Sequence, residues 1–235
     1  WIIATAEAVA SWPGAVALLP AMPMASLLAA SAGLVWLCLW RGRWRLLGVA
    51  PILAAFAAMA LLRGPDVLVS GDGRMMAVRG TDGKLLVSDL QVHRLTTETW
   101  LRRAGQSVSA PWPEGGAKRG RARVAVAERD ELRCDGQACL YRRDGMSVAL
   151  VREASALAEE CASVDVVVSA VPVRRGCRGP ALVIDRFALW REGAHALWLE
   201  NGRARVESVA QDRGNRPWVA RRERGATPPR QASTK

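Results

Sequence analysis

Met24 to Trp40 reads MASLLAASAGLVWLCLW, and no Asp, Glu, Lys or Arg stands between Glu7 and Arg41. As a helix rising about 1.5 Å per residue this run reaches roughly 25 Å, just short of a hydrocarbon core of about 30 Å. Taking in Ala21 to Pro23 would bring it to length, and the expectation is a transmembrane helix. Trp36, Trp40 and Trp44 recur on one helical face at its polar end, where an aromatic belt sits. The competing reading is a buried core helix. A second apolar run, Leu46 to Leu62 (LLGVAPILAAFAAMALL), predicts another span with a kink at Pro51. Its many alanines would let it pack closely against other helices. Between the runs stands Arg41-Gly42-Arg43-Trp44-Arg45, which the positive-inside tendency places in the cytoplasm, with everything after Arg63 outside.

Upstream, Trp1 to Ser11 (WIIATAEAVAS) has Glu7 as its sole charge and predicts a helix lying at a membrane interface. Pro13-Gly14, Pro20 and Pro23 then interrupt helical structure. The run has no basic residues ahead of its apolar core, so it is not read as a signal peptide. The expectation is that further membrane segments precede Trp1. The predicted organisation is residues 1–63 as an interfacial helix and two transmembrane helices, 64–220 as a periplasmic α+β domain, and 221–235 as a basic, Pro-containing disordered tail.

The chain has 235 residues and a net charge of +11. A mean hydropathy of +0.05 averages two unlike parts. So basic a chain attracts polyanions, either nucleic acid or anionic lipid. Arg far outnumbers Lys, so GC-rich coding is an equally good source of the charge. Cys38 lies in the first apolar run, whereas Cys134, Cys139, Cys161 and Cys177 follow Arg63. Four cysteines there suit two disulfides in an oxidising compartment, with Cys134 and Cys139 closing a tight hairpin-like turn and Cys161 and Cys177 flanking a strand. The rival is a zinc site, against which stand a spacing other than CxxC and the lack of a neighbouring His.

From Pro65 short β-like runs alternate with turn signals. Strands are predicted at 66–70, 74–79, 84–88, 123–127, 138–142, 146–151, 165–170, 181–185, 195–200 and 203–209. Helices are predicted at 98–104 and 153–162, and a Pro-, Gly- and Arg-rich loop at 107–123.

This order of parts, with Asp66-Val67-Leu68-Val69-Ser70-Gly71-Asp72-Gly73 followed by Arg79-Gly80-Thr81-Asp82-Gly83, resembles the C-terminal end of ComEC-type DNA-uptake channel proteins. Later runs, Val164-Asp165-Val166-Val167-Val168 and Pro180-Ala181-Leu182-Val183-Ile184-Asp185, fit the same series. The resemblance implies a membrane α-helical segment followed by an α+β, metallo-β-lactamase-like sandwich. Active hydrolases of that wider fold carry HxHxDH for two metals that activate water. Here the motif is absent, and Ser169-Ala170-Val171-Pro172 stands where a metal-bearing HHGS would be. His93 and His195 are the two histidines of the chain, too few for such a site. Asp72, Asp165 and Asp185 fall at strand ends and are candidates for weak metal ligands, against which stand turn formation and capping, their ordinary roles.

The degenerate fold therefore carries no catalytic residue, metal or cofactor. The implied function is part of an inner-membrane channel for single-stranded DNA in natural transformation. Membrane lipid, upstream helices of the same protein, DNA and other uptake proteins are the expected partners. Arg119, Arg121, Arg123, Arg142, Arg143, Arg174, Arg175 and Arg178 are the candidates for the DNA backbone. Trp100, Trp112, Trp190, Trp198 and Trp218 are available for stacking, although Trp190 and Trp198 lie in apolar runs and read as core. The alternatives are a metal-dependent nuclease degrading the non-transported strand, and a purely structural domain.

Overall fold

A computed structural model describes residues 1–12, 18, 20–61, 63–80, 82–88, 94–109, 112, 122–125, 131–135, 137–173, 177–214 and 216–218. The predicted tail, His93 and most of the loop at 107–123 lie outside the described residues. The chain divides into two units, Trp1–Gly64 with Leu95–Val108, and Pro65–Arg94 with Ser109–Lys235.

The first unit is helical. α1 spans Ile2–Ala10, α2 spans Met24–Leu39, and a 3-10 turn over Arg43–Gly48 leads into α3, Val49–Leu61. α4 spans Arg94–Arg103, and the Ala21 N–H donates to its Arg103 carbonyl at 2.9 Å. α2 and α3 form a hairpin that packs through small residues. A Cβ built on Gly33 would lie 2.5 Å from the Gly48 carbonyl oxygen, and one on Gly48 would lie 2.6 Å from that of Gly33. Ser26, Gly33, Gly48 and Ala55 are buried along this seam, while Leu28, Leu34, Leu39, Leu53 and Phe56 are exposed. The pattern is inverted relative to a water-soluble hairpin, which buries its large apolar side chains. At the polar end, the Trp36 indole N–H donates to the Trp44 carbonyl at 3.1 Å and stacks on Trp40.

The expected fold class needs correction here. Among the described residues, no helix is long and apolar enough to cross a membrane. α2 has 16 residues, because Pro23 is extended and Ala21–Pro23 stay outside the helix. The second apolar run is divided between the 3-10 turn and the 13 residues of α3. Pro51 lies in the first turn of α3, a position that tolerates its missing N–H.

The second unit is α+β, with two sheets. The first has the order β11-β10-β1-β2-β3, from β1 (Val67–Val69), β2 (Met76–Arg79), β3 (Leu85–Val87), β10 (His195–Glu200) and β11 (Arg203–Ser208). The second runs β4 (Ala122–Ala125), β5 (Glu131–Cys134), β6 (Ala138–Arg143), β7 (Met146–Val151), β8 (Val166–Ser169) and β9 (Leu182–Ile184) in sequence order. One core cluster joins Val67, Val78 and Leu197 of the first sheet to Leu132, Tyr141, Val148 and Val168 of the second. A second cluster packs Leu140, Ala149 and Val167, which alternate with that core, against α5 (Leu157–Ser163). β7 and β8 are thus covered on both faces. That explains their unbroken apolar runs and their parallel pairing, which requires a crossover such as α5. α6 (Arg186–Glu192) and α7 (Val209–Arg213) complete the unit.

Two hairpins turn on Asp144-Gly145 and Asn201-Gly202, all at positive φ, as two-residue turns between twisted strands require. The sheets are also joined by a polar clasp. The Tyr141 hydroxyl donates to the Arg79 carbonyl at 2.8 Å, and Arg143 Nη1 donates to the same carbonyl and lies 3.2 Å from Asp66 Oδ1. The other Asp66 oxygen accepts from the Leu199 N–H at 2.8 Å.

Candidate nucleic-acid interface

The groups that could do acid–base or metal chemistry are each taken up locally. Asp72 accepts from the Ser70 hydroxyl and from the Arg74 N–H, shaping the turn after β1. Asp165 Oδ2 accepts from both the N–H and the hydroxyl of Ser147, tying the approach to β8 to the start of β7. Asp185 Oδ1 accepts from the Ala188 N–H at 2.9 Å and caps α6. His195 is buried, with Nδ1 at 2.9 Å from the Gly193 carbonyl and Nε2 at 3.4 Å from Glu192. Among the described residues no three His, Cys, Asp or Glu side chains come together to hold a metal.

The Asp66 carboxyl has a shifted titration. Burial pushes it above its usual value, opposed by the Leu199 N–H and then by the Arg143 and Arg79 guanidiniums. Burial likewise lowers Arg79, whose Nε and Nη1 donate to the Pro65 and Gly83 carbonyls. This group is a structural lock, spanning elements that sequence spacing could not bring together.

The cysteines pair as Cys134–Cys139 and Cys161–Cys177. The first joins directly opposed residues of β5 and β6, and the second ties α5 to the chain ahead of β9. Cys38 is free and exposed.

The sequence-derived arginines separate. Arg119, Arg121, Arg174 and Arg175 lie outside the described residues. Arg143 faces inward to the clasp, its side chain 14% exposed, and so does not belong to a binding surface. Arg142, its neighbour on β6, faces the other way and is exposed. Arg178 is described, in the loop after Cys177. Arg123 occupies a register position on β4 directly opposite Arg133 of β5. Arg133 was not singled out from sequence, because β5 itself was not foreseen; the signal was the alternation of Leu132 and Cys134 about it.

Trp198 is likewise not core. It alternates with buried Leu197 and Leu199, lies on the outer face of the first sheet and stacks under Arg205, whose guanidinium carbon is 4.0 Å from the ring centroid. With Glu200, Asn201, Arg203 and Ala204 these two line a groove of about 620 Å³. Arg205 also pairs with Glu207 at 2.8 Å, so the charges of this groove are largely balanced.

No family model, curated protein or solved structure matches the chain.

Proposed function

We propose that the protein is a component of the inner-membrane machinery that takes up single-stranded DNA, and that its two-sheet unit binds without catalysing. The observation that carries the reading is the disposition of charge in that unit. Asp72, Asp165, Asp185 and His195 are engaged with neighbouring backbone or side chains, while Arg142 projects outward from a net-basic chain. Carboxylates held in caps and turns are poorly placed to gather a metal or to activate water, whereas outward guanidiniums suit a phosphodiester backbone.

The helical unit supports the accompanying partner, membrane lipid. Its exposed leucines and Phe56 suit contact with acyl chains, and Trp40 and Trp44 beside Arg41, Arg43 and Arg45 suit the headgroup region.

The test uses the full chain in detergent micelles with a fluorescent oligothymidylate, alongside a deletion of the gene scored for DNA uptake. Binding that weakens with salt, together with lost uptake, is expected. No binding at low salt with unchanged uptake would overturn the reading. Chelator-sensitive cleavage of the oligonucleotide would overturn its non-catalytic part.

A further inference from the structure

The turn that joins α2 to α3 gathers positive charge at one end of an apolar hairpin. α2 ends at Leu39, Trp40 is extended, and Gly42 takes a φ of +87° before helical structure resumes at Arg43. A side chain at position 42 would be strained in that conformation, so glycine suits it. Arg41, Arg43 and Arg45 are all exposed, and none of their guanidiniums has an ion pair or a hydrogen-bonded partner among the described residues. Nor does the neighbouring sequence offer one, since no Asp or Glu stands from Ala8 to Pro65.

Arginines on a turn are commonly just solvated. What sets these apart is the apolar surface they share. The Trp36 indole N–H donates to the Trp44 carbonyl, and its ring stacks on Trp40 with centroids 5.1 Å apart, which ties the aromatic residues to the turn. Trp40 and Trp44 are nevertheless 50% and 69% exposed, and Leu39, Leu46 and Leu47 beside them are exposed as well. Water suits the guanidiniums and not the leucines. A phosphodiester strand would pair the arginines and leave the leucines in water. The headgroup–acyl boundary of a bilayer meets both demands, and it is the depth at which indoles, apolar in body and polar at one edge, are enriched.

We infer that this turn docks on anionic phospholipid, the guanidiniums of Arg41, Arg43 and Arg45 holding headgroup phosphates while Trp40 and Trp44 enter the acyl boundary beside them. The inference rests on the lipid partner proposed above and deepens it, naming the charge of the lipid and the residues that recognise it. A zwitterionic headgroup also presents a phosphate, but its own ammonium offsets the charge. Recognition is therefore of net negative lipid, accumulates with each arginine and is screened by salt.

The experiment dilutes the full chain from detergent micelles onto vesicles of phosphatidylglycerol or of phosphatidylcholine, and measures the bound fraction by flotation across a salt series. Wild type is expected to prefer phosphatidylglycerol by about a hundredfold at low salt, a preference that shrinks as salt rises. Arg41→Gln/Arg43→Gln/Arg45→Gln should lose most of that preference. A control of equal charge loss in the two-sheet unit, Arg203→Gln/Arg213→Gln/Arg216→Gln, should keep it. Equal affinity of the wild type for the two vesicles, or equal losses in both variants, overturns the site and leaves the lipid reading standing. Binding to neither vesicle overturns both. A first variant that loses oligothymidylate affinity and keeps its phosphatidylglycerol preference overturns the site in favour of a nucleic-acid surface. Far-ultraviolet dichroism shows that each variant folds. If the first does not, protection of Arg41, Arg43 and Arg45 of the wild type from phenylglyoxal by phosphatidylglycerol vesicles, and not by phosphatidylcholine vesicles, serves in its place, and lack of protection overturns the site.

Discussion

Asp66 takes part in the polar clasp between the two sheets, and its protonation has an unexpected sign. Its carboxyl is raised in the folded state because burial outweighs the Leu199 N–H and the nearby guanidiniums. The native state thus holds the Asp66 proton more tightly than the unfolded state. This group's contribution to stability is fully present below the unfolded value, near 3.8, and is lost as pH rises through the raised folded value. In urea denaturation over a pH series, Asp66→Asn should remove that downward slope; an unchanged slope would show that Asp66 is not its source. Tyr141→Phe deletes the hydroxyl that donates to the Arg79 carbonyl and should cost about 1 kcal/mol. Arg143→Met leaves Asp66 without its paired cation and should cost about 3 kcal/mol at neutral pH, and less in acid, where Asp66 is protonated. Sequence reading assigned Arg143 to the surface because Arg142 and Arg143 are indistinguishable by composition. Only alternation about Tyr141, a core residue, separates them.

Among the elements, the disulfides and the glycine seam make separate predictions. The Cys161–Cys177 link closes the longer loop, with a sequence separation of 16, and replacing both residues by serine should cost about 3 kcal/mol. Cys134–Cys139, separated by 5, should cost about 2 kcal/mol on the same chain-entropy argument. Denaturant midpoints under oxidising conditions would rank the two, and the opposite order would show that strand pairing around Cys134, not loop length, governs the effect. Gly33→Val forces a side chain against the Gly48 carbonyl and should lower the thermal midpoint by the equivalent of about 1–3 kcal/mol. The strands at 146–151 and 195–200 were legible because their apolar runs are bounded by Asp-Gly and Asn-Gly turns. β5 was not, since it is four residues long and half arginine and glutamate. α6 and α7 were missed as well: they are short, and their start signals, Asp185 and the Ser208–Gln211 capping box, stand next to strands that absorb attention. The lengths of the apolar helices were overestimated because hydropathy ignores that Pro23 and Gly48 set where helical hydrogen bonding begins and ends.

At the scale of the whole molecule, one chain carries a helical unit with large apolar side chains outside and a two-sheet unit with them inside. The first unit's exterior predicts that the protein extracted without detergent elutes as large particles on size exclusion, and that mild detergent converts these to a smaller species; a monodisperse detergent-free preparation would contradict the lipid partner. The charge that suggested nucleic acid was visible in composition, but which arginines face outward, as Arg142 does and Arg143 does not, depends on strand alternation, which composition does not encode. The first sheet has a further implication. β1 sits between β2 and β10, so the Asp66 carboxylate must wait for Leu199, 133 residues later, to acquire its backbone donor. At translation rates of about 5–20 residues per second that interval is roughly 7–27 s. Throughout it, a nascent chain would display the unpaired flank of β1, making this stretch a natural client for a chaperone that shields strand edges during synthesis.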